Sequence, residues 1–412
     1  MKYHINIYSF KPGIVSPTGA SVRSFTMESS GGSMAGSSRR VGPLTPRFII
    51  SGGGTGGHIF PAIAIANAIK KEYPAAEILF VGAKGRMEME KVPAAGFKIE
   101  GLWISGMQRG AFTKNILLPI KVISSVIQAN RIIARFKPDV VIGVGGYASG
   151  PLLYAATIRG IPTLIQEQNC YAGATNRILG KRVQKICVAF DGMEKFFPSN
   201  KIIRTGNPVR QDIINIKQKR EEGLNYFGLK GDRKVVLITG GSLGAGTINR
   251  AIRDGFSKIL NEPVDVIWQT GKLYYQELKK LAEDNGVDHI KVFEFIQRMD
   301  LAYSVADITV ARAGAISVSE LSVAGKASIL VPLPSAAENH QYINAMELVK
   351  KEAAILVNDS EASEKLVDTA LSLIHDESRI KSLEENISGI ALHNAAQNIA
   401  NEILSLIKIK KD

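Results

Sequence analysis

The chain has 412 residues, which at about 100–200 residues per domain predicts two or three domains, and its 45% of hydrophobic residues can form large cores. This composition, with only two cysteines, excludes collagen-like, disordered and small disulfide-rich proteins. The formal net charge of +13 is uneven, because residues 48–207 carry twenty Lys/Arg against nine Asp/Glu, whereas residues 208–412 carry twenty-five against twenty-eight. We therefore expect the first half to meet a polyanion, which is a phosphorylated ligand, an anionic membrane face or a nucleic acid.

Residues 1–46 are predicted to form a disordered extension outside the fold. They contain scattered glycine, serine and proline, and no apolar run of the length that a signal peptide requires. Cys170 and Cys187 form no C-x-x-C motif, so neither a zinc site nor a disulfide framework is indicated. A reducing cytosol is the expected compartment.

Short apolar runs alternate with helical patterns along the rest of the chain. The predicted strands are residues 48–50, 77–81, 140–144, 163–165 and 185–188 in the first half, and 235–239, 264–268, 290–293, 308–310 and 327–331 in the second. Continuous apolar strands separated by helices are typical of parallel sheets covered on both faces, so the fold class is α/β. Residues 140–158 are uncharged, but their glycines favour a strand, a loop and a helix from Pro151 over a membrane span.

A weak internal repeat divides this region. Residues 48–58 and 236–246 both combine a strand, a glycine loop and a helix start, which two similar doubly wound domains explain most simply. We place the boundary near Pro208, which gives domains at residues 47–209 and 210–393. The helical pattern at about 394–409 has no following strand, and we expect that helix to pack back on the first domain.

The first glycine loop, residues 52–58, resembles a phosphate-binding turn. Backbone N–H groups at a helix N-terminus attract anions, and Pro61 is expected in the first helical turn, where its missing N–H costs nothing. A tight turn without a ligand is the alternative. Ala83 and Lys84 follow the second predicted strand in place of the acid that a dinucleotide fold requires, so a dehydrogenase is disfavoured.

Three further features are candidates for chemistry. His58 ends the first loop, where the helix dipole favours a neutral imidazole that can act as a general base or bind phosphate, or can simply cap the helix. Residues 143–150 form a second glycine loop, although such loops also serve only to pack a helix on a sheet. Glu320 can bind neighbouring sugar hydroxyls or complete a capping box with Ser317.

Eight segments in order carry a close resemblance to the MurG family, the UDP-N-acetylglucosamine (UDP-GlcNAc) transferases that convert lipid I to lipid II in peptidoglycan synthesis. The resemblance covers about residues 47–409. Its segments are GGTGGH at 53–58, GGYASGP at 145–151, EQN at 167–169, GNPVR at 206–210, GGSLGA at 240–245, FI at 295–296, residues 314–320 and Gln341.

The resemblance implies a GT-B fold, in which two Rossmann-like, doubly wound parallel-sheet domains face a cleft. It implies an inverting reaction without metal or cofactor, with UDP-GlcNAc held by the C-terminal domain and the acceptor by the N-terminal domain. It assigns diphosphate contacts to Arg210 and Ser242, uracil to the backbone of Ile296, ribose hydroxyls to Glu320 and GlcNAc hydroxyls to Gln341.

Further residues are assigned to three groups. The segment expected to meet the diphosphate and nucleoside contains Ala315, Ile316, Ser317, Val318 and Ser319. The cleft face of the N-terminal domain includes Thr55, Gly56, Gly57 and Asn169. The loop expected to meet the acceptor diphosphate contains Gly145, Gly146, Tyr147 and Ser149.

The implied mechanism is an attack by the C4 hydroxyl of N-acetylmuramic acid (MurNAc) on the anomeric carbon of GlcNAc, with UDP leaving and a β-1,4 bond forming. His58 is the first hypothesis for the catalytic base and Glu167 the second. Three positions depart from the family pattern: Gly246 stands where arginine is common, His340 replaces the first residue of a Gln-Gln pair, and Gln166 replaces a histidine.

Because lipid I is embedded in a membrane, the resemblance implies a peripheral protein on the cytoplasmic face of the bacterial inner membrane. Residues 103–121, which include Trp103, Phe112, Lys114 and Lys121, mix aromatic, aliphatic and basic residues as an interfacial patch would, or belong to the core. With a lipid diphosphate and an anionic membrane as the expected polyanions, nucleic acid is no longer expected as a partner. The alternatives are another GT-B enzyme (a glycolipid glycosyltransferase or a UDP-GlcNAc epimerase) and a nucleotide-sugar-binding regulator without turnover.

Overall fold

The computed structural model describes residues 45–106 and 117–409, which contain two parallel β-sheets with helices on both faces. The first sheet has seven strands in the order β3-β2-β1-β4-β5-β6-β7. Its strands are β1 (Arg47–Ser51), β2 (Glu77–Ala83), β3 (Lys98–Leu102), β4 (Val140–Gly143), β5 (Thr163–Glu167), β6 (Lys185–Val188) and β7 (Ile202–Arg204).

The second sheet has six strands in the order β10-β9-β8-β11-β12-β13. Its strands are β8 (Lys234–Thr239), β9 (Val264–Gln269), β10 (Ile290–Phe293), β11 (Ile308–Ala311), β12 (Ala327–Leu330) and β13 (Ile355–Leu356). In both sheets the order reverses beside the first strand, as in doubly wound folds, and ligand sites of such folds lie beyond the carboxyl ends of the strands at that point.

Helices cover both faces of each sheet. Those of the first sheet are α1 (Gly56–Glu72), α2 (Glu88–Ala94), α3 (Leu118–Phe136), α4 (Ser149–Ile158), α5 (Ala174–Gly180) and the last helix, α15 (Ala395–Ile409). Those of the second are α6 (Arg220–Phe227), α7 (Gly246–Asp254), α8 (Phe256–Leu260), α9 (Tyr275–Asp284), α10 (Met299–Val305), α11 (Ala315–Ala324), α12 (His340–Val349), α13 (Ala362–His375) and α14 (Glu377–Gly389).

The alternation of side chains along β1 explains how the first sheet is covered. Phe48 is fully buried in one cluster with Ile65 of α1 and Ile403 of α15, whereas the next residue, Ile49, is fully buried in a cluster with Ile133 of α3 on the opposite face. Each such side chain contributes about 1.5–3 kcal/mol by its removal from water. The last helix thus completes a core of the first sheet although it follows the second sheet in the chain.

Every predicted strand is present, but β3, β7 and β13 were not predicted. All three lie at the edge of a sheet, where one side is open to solvent and the sequence need not be apolar. β3 carries Lys98 and Glu100, β7 ends in the exposed Arg204, and β13 has only two residues. Apolar runs identify the central strands and miss such edges.

Two helix starts and one helix cap differ from the predictions. α4 begins at Ser149, two residues before Pro151. α1 begins at Gly56, so Pro61 lies in its second turn and cannot donate an N–H to the carbonyl of Gly57. α11 has Gly314 as its N-cap, which puts Ser317 inside the helix, so the capping box of Ser317 with Glu320 was wrong.

Two other predictions concern segments that lie largely or partly outside the residues that the structure describes. The extension at residues 1–46 lies almost entirely outside them, as do residues 107–116 of the interfacial segment. Within the described residues, no helix has the length and apolar content needed to cross a bilayer. Residues 140–158 are divided between β4, a loop and α4.

Candidate active site

The loops that follow β1 and β4, residues 52–55 and 144–148, pack tightly against each other. A Cβ atom on Gly145 would lie 2.8 Å from Nδ1 of His58, and one on Gly146 would lie 2.4 Å from the carbonyl oxygen of Gly53. Gly145 and Gly146 also have φ angles of 93° and 82°, a region that favours glycine. The glycines of the two loops are therefore required for the loops to meet around His58.

Tyr147 and Ser149 complete the second loop in different ways. The ring of Tyr147 lies against Gly54, where a Cβ would come within 3.3 Å of Cε1, and burial raises the pKa of this phenol. The fully buried Ser149 donates its hydroxyl to the carbonyl of Gly146 at 2.8 Å. Ser149 therefore supports the loop from within, while Tyr147 covers the first loop as a neutral phenol.

The hydrogen bonds of Gln168 define which nitrogen of His58 carries the proton. Nε2 of Gln168 donates to the carbonyl of Val144 at 2.9 Å, so its Oε1 is the atom that faces Nδ1 of His58 at 3.0 Å and accepts from it. The proton therefore lies on Nδ1 of His58, and Nε2 carries the lone pair that a general base requires. Gln168 was not among the predicted residues, although it lies inside the EQN segment.

Burial lowers the pKa of His58, against a smaller opposing effect from the charge of Glu167 and the hydrogen bond to Gln168. Neutral imidazole was expected there, but the expected cause was the helix dipole, and the dominant cause is loss of water around the ring. A neutral imidazole at neutral pH can accept a proton. His58 therefore has both the tautomer and the protonation state of a base.

Glu167 is held by the backbone and side chains around it. Its Oε1 accepts from the N–H and Nδ2 of Asn169 at 3.1 and 3.3 Å, and its Oε2 accepts from the N–H of Gly173 at 3.0 Å and from Nδ2 of Asn176 at 2.9 Å. Its exposure is only 2%. Four donated hydrogen bonds stabilise the ionised carboxylate and fix the loop after β5, which is a structural role.

The remaining predicted residues of this domain lie at the start of α1 and after β5. The carbonyl of Thr55 accepts from the N–H groups of His58 and Ile59 at 3.1 and 3.2 Å. Thr55 and Gly57 are exposed and Gly56 is partly buried, so this helix start is open to solvent. Asn169 lies further along and accepts from Nδ2 of Asn344, a residue of α12, at 3.3 Å.

Sequence reasoning missed Glu88, which lies beneath the first loop. Its side chain is fully buried; its Oε2 accepts from the N–H of Gly54 at 3.1 Å and its Oε1 from the N–H of Ala83 at 3.0 Å. The loop amide that was expected to meet a ligand phosphate therefore already binds a carboxylate of the chain itself. Residues 83 and 84, where a dinucleotide fold would have an acid, are Ala and Lys, and Glu88 lies at the start of the next helix, α2.

In the second domain, Gln269 joins two of the predicted donor segments. This buried side chain donates from Nε2 to the carbonyl of Gly241 at 2.8 Å and accepts through Oε1 from the N–H of Ile296 at 3.2 Å. The glycine loop and the uracil segment are thus held side by side. The N–H of Ile296, whose backbone was predicted to bind uracil, is therefore bonded to Gln269.

Arg210 and Glu320 lie close to the same segment. Arg210 binds Asp212 and donates to the carbonyl of Gln297 at 3.1 Å. Burial raises the pKa of Glu320 to about 7, and the positive charge of Arg210 opposes that rise. Glu320 also accepts a hydrogen bond from Tyr303, a fully buried residue of α10. The structure therefore brings Arg210, Ile296 and Glu320 together.

Ser242 and Gln341 contribute polar groups at the ends of two other elements. Ser242 is exposed in the loop before α7. Gln341 accepts through Oε1 from the N–H of Leu333 at 2.9 Å. At Gly246, where the family commonly has arginine, an added Cβ would lie 2.5 Å from Oη of Tyr274 and 3.3 Å from the guanidinium of Arg250.

The segment at residues 315–319 contains both partly exposed and buried positions. Ala315 is largely buried at the start of α11, and Ile316 and Ser317 are partly exposed in its first turn. Val318 lies in the core, and Ser319 accepts from Nδ2 of Asn207 at 3.0 Å. Val318 is thus a core residue, whereas Ser319 bonds to Asn207 and donates its hydroxyl to the carbonyl of Ala315 at 2.9 Å.

Several side-chain contacts join the two halves near the loop after β5. Asn344 accepts from the N–H of Cys170 at 3.0 Å, and Arg177 pairs with Glu338 at 3.1 Å. Asn207 donates to the carbonyl of Gln168 at 3.0 Å and to Ser319. A weaker pair joins Lys351 to Asp191 at 3.6 Å. The loop that positions His58 is thus bonded to the segments that hold Ser319 and Asn344.

Comparisons with known proteins identify the family of the chain. The chain matches the glycosyltransferase family 28 N-terminal domain over residues 48–188 and the family's C-terminal domain over residues 235–403. It is 52% identical to the UDP-N-acetylglucosamine–N-acetylmuramyl-(pentapeptide) pyrophosphoryl-undecaprenol N-acetylglucosamine transferase of Parabacteroides distasonis, over 88% of this chain and 99% of the relative. It is 53% identical to the protein of the same name from Cytophaga hutchinsonii, over 88% and 97%.

Solved structures give the same result at the level of the fold. The crystal structure of Acinetobacter baumannii MurG aligns with a TM-score of 0.71 and 28% identity, over 87% of this chain and 99% of that one. A UDP-N-acetylglucosamine 2-epimerase aligns with a TM-score of 0.60 and 13% identity, over 89% and 97%, which shows only that the fold is shared. The two-sheet architecture is the GT-B fold.

Proposed function

The chain belongs to the MurG family within glycosyltransferase family 28, and from that membership we propose that it transfers GlcNAc from UDP-GlcNAc to lipid I, giving lipid II. The relatives that carry this activity in their names are matched over nearly their whole length. The observations that support the proposal beyond similarity are the neutral His58 in the first turn of α1, and the group of Arg210, Ile296 and Glu320 in the second domain.

In the proposed reaction, the first domain receives the acceptor and the second holds the nucleotide sugar. Nε2 of His58 takes the proton of the MurNAc C4 hydroxyl as that oxygen attacks the anomeric carbon of GlcNAc. The bond between this carbon and the diphosphate oxygen breaks, and UDP leaves with inversion to a β-1,4 linkage. General base catalysis of this kind contributes about 10²–10⁴-fold to a rate.

The charge that develops on the leaving diphosphate is stabilised in this proposal by backbone and side-chain groups. α7 and α11 begin directly after the loops at residues 240–245 and 312–314, and each helix N-terminus carries roughly half a positive charge. Arg210 supplies a full positive charge beside Ile296. Glu320 accepts the ribose hydroxyls, and the amide N–H groups of Gln341 meet the GlcNAc hydroxyls.

A transfer assay tests this function. Purified protein is incubated with radiolabelled UDP-GlcNAc and lipid I, and the label in the butanol-extractable product is counted. We expect label in that fraction only when lipid I is present. Label that stays in the aqueous phase as an epimerised nucleotide sugar would point to an epimerase, and binding of UDP-GlcNAc without any product would point to a regulator.

We further propose that α3 docks the protein on an anionic membrane, at the cytoplasmic face of the bacterial inner membrane. Ile120, Ile123 and Ile127 are 55%, 64% and 49% exposed, and their spacing puts them on one side of a helix that has no acidic residue. Nζ of Lys121 lies 5.9 Å from the ring centroid of the half-exposed Trp103. Apolar side chains beside basic ones are typical of interfacial helices.

Vesicle binding tests the docking surface. The protein is sedimented with vesicles of phosphatidylcholine alone or mixed with an anionic lipid, at low and high salt. We expect binding to the anionic vesicles only, weakened by salt and by Lys121→Glu, with Lys280→Glu on α9 as the matched exposed control. Binding that is affected neither by salt nor by Lys121→Glu would contradict the proposal. Lys114, predicted to act with Lys121, lies outside the described residues.

A further inference from the structure

The first glycine loop contains a negative charge where the sequence predicts a bound phosphate. Glu88 lies at the start of α2 with its side chain fully buried, and its two carboxylate oxygens accept from the N–H groups of Gly54 and Ala83. Gly54 belongs to the loop after β1 and Ala83 ends β2. One carboxylate thus ties the loop before His58 to the neighbouring strand.

Two glycines are required to admit this carboxylate. A Cβ on Gly53 would lie 2.3 Å from Oε1 of Glu88, and one on Gly82 would lie 2.5 Å from its Cγ. Distances below 3.0 Å cannot be accommodated without movement of the side chain. Gly53, which belongs to the predicted phosphate-binding loop, and Gly82 therefore leave space for the side chain of Glu88.

The partners of Glu88 suit a carboxylate. Both are N–H donors, so both oxygens accept, and the side-chain amide of a glutamine would turn a donor toward one of them. Among the described residues, none of the recorded ion pairs involves Glu88. The carboxylate is thus satisfied by backbone amides alone, in the manner of an anion bound at a glycine loop.

The charge of Glu88 also acts on His58. The charged groups that influence the imidazole are Glu167, at the end of β5, and Glu88, beneath the loop, and both raise its pKa against the lowering effect of burial. The other groups against the ring, the side chain of Gln168 and the backbone of Val144 and Gly145, carry no charge. Glu88 is therefore linked to His58 through the loop and through its electric field.

We propose that Glu88 is a positioning residue for the acceptor reaction: its buried carboxylate takes the place of a ligand anion in the first glycine loop and holds His58 where it can take the proton of the acceptor hydroxyl. This inference rests on the proposed function of His58. It assigns the first loop to a hydroxyl of the acceptor, because a phosphate at the amide of Gly54 would meet the carboxylate of Glu88.

Four variants test the inference. Glu88→Gln keeps the shape and removes the charge, Glu88→Asp keeps the charge and shortens the side chain, and Gly53→Ala displaces the carboxylate without changing any charge. Glu90→Gln, on the exposed face of the same helix, is the matched control. Transfer to lipid I is measured as kcat and as KM for UDP-GlcNAc across pH, and folding is checked by thermal unfolding.

We expect Glu88→Gln to lower kcat by about 100-fold, the scale of a displacement of a catalytic group by about 1 Å, with KM for UDP-GlcNAc changed less than about twofold. Because the negative charge raises the pKa of His58, its removal shifts the acid limb of the kcat profile to lower pH. Glu88→Asp and Gly53→Ala lower kcat and leave that limb in place. Glu90→Gln behaves as the wild type.

An NMR titration of His58 separates failure of this inference from failure of the proposed function, because it needs no turnover. The imidazole signals of the full chain are followed across pH in wild type and Glu88→Gln, with His58→Ala for assignment. A lower His58 pKa in Glu88→Gln supports the inference even if no transfer is observed. An unchanged His58 pKa, or wild-type kcat in Glu88→Gln, overturns it.

Discussion

The two domains begin with the same local pattern, a strand, a glycine loop and a helix, yet the two loops have opposite chemistry. In the first, the amide of Gly54 binds the buried carboxylate of Glu88 and the loop presents His58. In the second, Gln269 holds the carbonyl of Gly241, and Ser242 is exposed at the start of α7. The amide of Gly54 is thus occupied by a carboxylate of the chain itself, whereas the side chain of Ser242 is exposed.

This difference teaches that a glycine loop by itself does not identify an anion site. The backbone geometry of both loops suits an anion, and what decides is whether a side chain already supplies one. Where a carboxylate such as that of Glu88 binds the loop amide, the loop can position a catalytic base such as His58 and need not bind a phosphate.

Gly146→Ala should have the largest effect, on the acceptor side. The added Cβ meets the carbonyl of Gly53, and the φ angle of 82° is unfavourable for alanine, so we expect unfolding to become easier by about 3 kcal/mol and transfer to fall by more than about 100-fold. Gly160→Ala is the control, since Gly160 also has a positive φ but nothing within 4 Å of its Cβ. That variant should lose only about 1 kcal/mol, measured by urea unfolding.

Glu320→Gln tests the donor side. Loss of a hydrogen bond to a charged group costs about 1.5–3 kcal/mol, which corresponds to a rise of about 10–100-fold in the Kd of UDP measured by calorimetry. Since burial raises the pKa of Glu320 to about 7, the ribose acceptor is protonated below that pH. UDP affinity of the wild type should therefore rise as pH increases through about 7, and the variant should show no such rise. A flat wild-type profile would remove Glu320 from the nucleotide site.

Glu167→Gln distinguishes the two candidates for the base. Glu167 accepts four hydrogen bonds, and the amide would turn a donor toward one of its partners, so we expect a loss of about 1–3 kcal/mol in the free energy of unfolding. A lower melting temperature with a modest loss of transfer is the expected pattern. Full stability with a complete loss of transfer would instead make Glu167 the base.

Arg177→Ala should have the smallest effect, on the contact between the two sides. The Arg177–Glu338 pair is 35% and 24% exposed, and partly exposed ion pairs contribute about 0–1 kcal/mol. We expect thermal unfolding to change little and UDP affinity to stay within about twofold. A loss of transfer by more than about tenfold without a change in UDP affinity would show that this pair controls how the acceptor and donor sides meet.

Much of the fold could be predicted from the sequence, because the central strands are continuous apolar runs and the motifs keep their order. The edge strands β3 and β13 could not, since a strand with one open side or only two residues has no clear apolar pattern. The site residues were located mainly by motif. Their partners Gln168, Gln269 and Glu88 were missed, because each depends on a side chain reaching a loop that only the folded chain brings near.

The most direct measurement compares His58→Ala with the wild type in two assays, transfer of GlcNAc to lipid I and binding of UDP by calorimetry, with His393→Ala as an exposed histidine control. If the first loop serves the acceptor and the second the donor, His58→Ala transfers about 10²–10⁴-fold more slowly and binds UDP as tightly as the wild type. Near-wild-type transfer with an unchanged pH profile, or a loss of UDP binding equal to the loss of transfer, would contradict that division.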